Sequence, residues 1–136
     1  MHSRTIEKYL KLRPHSIYKK YIDGTNGGLY RNGTRMELPK DTNYLGGTIM
    51  YGLNQEQGVY DLIEINLMNN EIREGNLFIG MHHDETTDEC LMTLLMNAVG
   101  VVRFVDINTN IEDPLKSIWP EVTIAEYMTR LNAPCA

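Results

Sequence analysis

The densest set of reactive side chains is His82-His83-Asp84-Glu85, followed closely by Asp88, Glu89 and Cys90. Imidazole beside carboxylate can ligate a metal or pass a proton, and the segment falls where an extended run gives way to a new element. A catalytic reading takes His82 or His83 with Asp84 or Glu85 as the working groups of a small hydrolase or transferase, with or without a metal. A plainer reading competes with it. Acids at the start of a helix complement its dipole, and adjacent histidines in a strand point to opposite faces, so at most one can join Asp84.

Other reactive patterns fall short of a mechanism. His83-Asp84-Glu85 has the H-x-E spacing of zinc nucleobase deaminases, and Pro134-Cys135 resembles the opening of their P-C-x-x-C. No second cysteine follows, zinc would lack a ligand, and that reading is rejected. Ser3, Ser16 and Ser117 stand in no G-x-S-x-G elbow. Cys90, expected in the first turn of a helix beside Leu94, reads as a core residue rather than an activated thiol. Gly24, Gly27 and Gly28 precede a hairpin and not a helix, so they are turn residues, with a backbone-amide nest for phosphate as the functional alternative. No metal and no cofactor is expected, and the balance leans toward a binding protein rather than an enzyme.

Charge distribution carries more than any motif. Residues 1–40 hold nine of the thirteen basic residues against three acids, a net of +6, whereas residues 41–136 hold four basic residues against fifteen acids, a net of −11. Four of the eight tyrosines, Tyr9, Tyr18, Tyr21 and Tyr30, lie in the basic segment. An aromatic face can stack on a base while lysine and arginine hold phosphate. The expected ligand-binding set is therefore Tyr18, Lys19, Lys20, Tyr21, Tyr30, Arg31 and Arg35. Its target is a nucleotide or other anionic ligand, or an acidic protein surface, including that of a neighbouring subunit. A solvated basic face is the bland counterpart.

The elements that must position these groups follow from periodicity. Ile6, Tyr9, Leu10 and Arg13 predict a short helix stopped by Pro14. Residues 16–22 read as extended, and Asn32-Gly33 between 29–31 and 34–38 reads as a type I′ hairpin. Thr48 to Leu53 and Val59 to Met68 read as strands, the second central because both its faces are apolar, and Ile72 to Met81 as a third, with a bulge at Gly75. Thr86 with Glu89 predicts a capped helix running to Gly100, Val101 to Ile107 a strand, and Thr123 with Glu126 a capped final helix. The expected fold is α+β, one domain over residues 1–136. A mainly antiparallel sheet of about five to six strands fills the first two-thirds and packs with a C-terminal helix–strand–helix layer.

Composition limits the setting. A chain of 136 residues, 42% hydrophobic, can bury a core without disulfides, and Cys90 and Cys135 make no framework. No apolar run approaches the roughly eighteen residues that span a bilayer, and no apolar stretch follows Met1-His2-Ser3-Arg4, so a cytoplasmic protein with no membrane contact is expected. Open strand edges and the methionine-bearing segment 87–99 suggest a homo-oligomer. Twelve asparagines and eight methionines in so short a chain fit an accessory protein of a virus or mobile element. Such a protein would sequester a ligand or block a host factor. An acidic inhibitor or adaptor, built on residues 84–89 and 112–121, is a further alternative.

Overall fold

A computed structural model describes residues 2–30, 36–37, 43–44, 47–53, 61–83, 90–107 and 112–131. The chain opens with two helices, α1 (His2–Leu10) and α2 (Ser16–Thr25). Strands β1 (Gly28–Tyr30), β2 (Met36–Glu37), β3 (Asn43–Tyr44) and β4 (Gly47–Met50) follow, then helix α3 (Leu62–Met68). Strands β5 (Leu77–His83), β6 (Cys90–Met96), β7 (Val101–Val105) and β8 (Val122–Thr123) lead into the last helix, α4 (Ile124–Leu131). Six strands form one antiparallel sheet in the order β1-β4-β5-β6-β7-β8, and β2 pairs with β3 separately. The α+β class, the antiparallel sheet and the C-terminal helix are as the sequence predicts.

Sheet register explains why the middle strands are so apolar. Gly80, Leu94 and Phe104 lie side by side on one face, which His82 shares, while Phe78 and Leu95 occupy the other. Helix α4 covers the His82 face through Tyr127, and α3 lies against β5. Strands β5 and β6 are thus buried on both sides, and a strand so placed has no polar alternation to display.

Three segments differ from expectation for identifiable reasons. Residues 16–22, read as extended, form α2: Tyr18, Tyr21 and Ile22 fall at helical spacing, and burial of Tyr18 and Ile22 outweighs their β propensity. Residues 62–68, read as strand, form α3, because Asp61 caps it by accepting the Glu64 amide at 3.0 Å and Leu62 and Asn66 face inward four residues apart. Residues 90–96, read as helix, form β6, since a short apolar run fits a buried strand as well as a helix. The capping pair Thr86 and Glu89 lies outside the described residues.

The hairpin expected over 29–38 also differs. Leu29 and Tyr30 pair with Ile49 and Thr48 of β4, and Met36 and Glu37 pair with Tyr44 and Asn43. Gly75 sits at φ +82° in the turn before β5 rather than in a bulge. Gly100, read as a helix terminator, does adopt a positive φ of +83°, but in the turn joining β6 to β7.

Buried polar groups tie the layers together. The Asn66 side chain accepts from the Phe78 amide at 2.8 Å and donates to the Phe78 carbonyl at 2.9 Å, fastening α3 to β5. Arg73, 4% exposed, donates to the Asn66 and Asn76 carbonyls and to Asn70 Oδ1, closing the loop after α3; no carboxylate pairs with it among the described residues. Along the edge of β7, the Phe104 amide donates to Ser117 Oγ at 3.0 Å and its carbonyl accepts from Ile118 at 2.8 Å.

Candidate functional site

The two N-terminal helices form a hairpin whose construction can be read residue by residue. Helix α1 buries Ser3, Ile6 and Leu10, leaving Arg4, Lys8 and Tyr9 outside. It ends at Lys11, which takes a left-handed φ of 54° while its amide donates to the Glu7 carbonyl at 3.0 Å. Pro14 is buried, and His15 caps α2 by accepting the Ile17 amide on Nδ1 at 3.3 Å. The His15 ring rests on Gly100: a Cβ there would stand 2.8 Å from His15 Cδ2. At the far end, Asp23 of α2 accepts from the Ser3 amide and the Ser3 hydroxyl, both at 2.8 Å. The Ser3 amide is the chief cause holding the Asp23 carboxyl below its usual range.

Arg4, Lys8, Lys11, Arg13, Lys19 and Lys20 are all exposed on this hairpin. Against them stand Glu7 and Asp23, the latter already engaged by Ser3. The elbow between the helices forms an open groove of about 640 Å³ lined by Glu7, Lys11, Leu12, Arg13, Pro14, Ser16 and Lys19. Three cations from the end of α1, the elbow and the first turn of α2 therefore line one groove. Ser16 and Lys19, one helical turn apart, put the first turn of α2 on its wall, where the helix dipole favours negative charge.

Of the sequence-predicted residues, Lys19 lines the groove and Lys20 is exposed on the adjoining helix surface. Tyr18 is 0% exposed; its ring is part of the core, so it offers no face to a base, and burial raises its phenol pKa. Tyr21 is half-buried and lies 6.1 Å from the Tyr18 ring. Tyr30 pairs through its backbone with Thr48, and Arg31 and Arg35 lie outside the described residues. Tyr9 is presented to solvent, 55% exposed, with Lys8 Nζ 5.5 Å from its ring centroid. Lys11, Arg13 and Ser16 were not singled out from sequence. Their signal was Pro14, which separates two amphipathic helices and so places the intervening cations beside the second helix's start.

His82 and His83 have a different fate. Both are in β5, 0% and 4% exposed. His82 Nε2 shares a 3.0 Å hydrogen bond with the hydroxyl of Tyr127, itself fully buried. The rings of Trp119, Phe104 and Tyr127 surround His82 at centroid distances of 5.7, 5.8 and 6.1 Å. Burial, reinforced by His83, pushes the His82 imidazole down to about 3, so it is neutral at physiological pH. A neutral imidazole enclosed by three aromatic rings holds the core together and is closed to a substrate. Asp84 and Glu85 lie outside the described residues, among which no three His, Cys, Asp or Glu side chains converge on a metal position.

A second groove, of about 420 Å³, lies between α3 and the sheet against Tyr51, Ile65, Met68, Phe78 and Ile107, with Glu64, Asn69 and Thr93 completing its lining. It carries no reactive pair. No described helix is long and apolar enough to cross a membrane. The chain matches no protein-family model, no characterised protein and no solved structure.

Proposed function

We propose that this chain is a non-enzymatic binding protein that holds an anionic, nucleotide-like ligand, or the acidic surface of a partner, on the basic face of α1 and α2. The observation that carries the reading is the exposure of all six cations of that hairpin, three of them around one groove. Charges so grouped attract anions over a distance of about 8–10 Å at ordinary ionic strength, which raises encounter rates as well as affinity. Sequestering the ligand, or occluding a host factor, is the mode of action such a surface serves.

The supporting experiment is calorimetry against mononucleotides, oligonucleotides and poly-glutamate at low and high salt. Binding that weakens steeply with salt is expected, and a quadruple variant, Arg4→Glu with Lys8→Glu, Lys19→Glu and Lys20→Glu, loses it while melting as the parent does. Binding that survives this charge reversal unchanged would place the function elsewhere.

A further inference from the structure

The elbow groove distinguishes among anions. Resting on the reading of α1 and α2 as an anion-binding surface, we propose that this groove is a site for the oligophosphate chain of a small ligand, read by its phosphates and not by its base.

Three features favour that class. The groove is open to solvent over much of its extent and holds about 640 Å³, room for a short phosphate chain that keeps part of its hydration. An acidic protein surface would instead lie across the outside of the hairpin. The charged lining is Lys11, Arg13 and Lys19 against Glu7, a net of +2, which matches a di- or triphosphate better than a single carboxylate. Arginine takes phosphate oxygens in a bidentate fork, lysine adds a point charge, and the Ser16 hydroxyl supplies a neutral donor. Among the described residues no aromatic ring lines the groove: Tyr18 is in the core, and neither Tyr9 nor Tyr21 reaches the lining. A base carried by the ligand therefore has nothing to stack on and projects into solvent.

The test is calorimetry of the whole chain with tripolyphosphate, ATP, GTP, CTP and adenosine, and separately with poly-glutamate. Tripolyphosphate and the three nucleotides are expected to bind one per chain, with affinities within about threefold of each other, and adenosine not to bind. Arg13→Ala with Lys19→Ala removes two charge-assisted contacts and should weaken tripolyphosphate by about tenfold or more. Lys116→Ala, an exposed cation outside the hairpin, should leave it within about twofold. ATP binding about tenfold tighter than tripolyphosphate would overturn the proposal, because the base would then be in contact. Salt-sensitive binding of poly-glutamate with none of tripolyphosphate would also overturn it, while leaving the basic hairpin as a protein-docking surface. If neither probe binds, both readings fail.

Discussion

Burial of His82 makes folding pH-dependent. In the unfolded chain an imidazole titrates near 6.5, but in the fold it stays neutral down to about 3. Below pH about 6.5 the unfolded state therefore binds a proton that the folded state refuses. Stability is intact above that pH and declines as pH falls toward 3, by up to about 1.4 kcal/mol per unit. Urea unfolding between pH 8 and 5 should show this loss. His82→Gln should be less stable at pH 8, because it disturbs the bond to Tyr127, yet show a flatter slope; parallel slopes would disprove the assignment. Tyr18 gives the opposite kind of prediction. Its buried hydroxyl has no hydrogen-bond partner among the described residues, so Tyr18→Phe removes a desolvated group without breaking a described contact. The melting temperature should stay level or rise, corresponding to about 0–1 kcal/mol. A marked fall would mean that the hydroxyl contributes an unrecognised bond.

Among the elements, the helical hairpin depends on Asp23. Its carboxylate serves the first turn of α1, where both the Ser3 amide and the dipole favour it. Asp23→Ala should cost about 1 kcal/mol, the usual value of a lost cap, and should loosen α1 selectively, seen as faster amide exchange across residues 3–10. Loss spread evenly over the sheet would contradict this local role. The elements also show how far sequence reasoning reached. Helix α1 and strand β7 followed from periodicity, and α4 from its cap: the Glu126 amide does donate to Thr123 Oγ1, at 3.2 Å. Helix α3 was missed although Asp61 and Glu64 stand at capping spacing, because Asp61, Ile63, Ile65 and Leu67 also alternate as a strand would. Strand β6 was missed because it is apolar on every side, and only its place between β5 and β7 distinguishes it from a buried helix. The cations of residues 4–20 lie exposed together on α1, α2 and their elbow, but composition alone does not say which way the tyrosines among them turn. In a helix, Tyr18 and Tyr21 turn inward while Lys19 and Lys20 turn outward, an outcome hidden once residues 16–22 are read as extended.

For the whole molecule, the separation of charge seen in sequence becomes a separation in structure. The cations gather on α1, α2 and their elbow, whereas Glu64, Glu71, Glu74, Glu112, Asp113, Glu121 and Glu126 are exposed on later elements. Among the described residues the edge strands β1 and β8 are three and two residues long. Among the described residues the hairpin is thus a cationic corner beside the sheet, where anions are expected to bind. Amide chemical-shift mapping during a titration with tripolyphosphate tests this most directly. Saturable shifts confined to the hairpin, and strongest at Lys11, Arg13, Ser16 and Lys19, are expected. Shifts centred on His82 and His83, or no shifts at all, would contradict this.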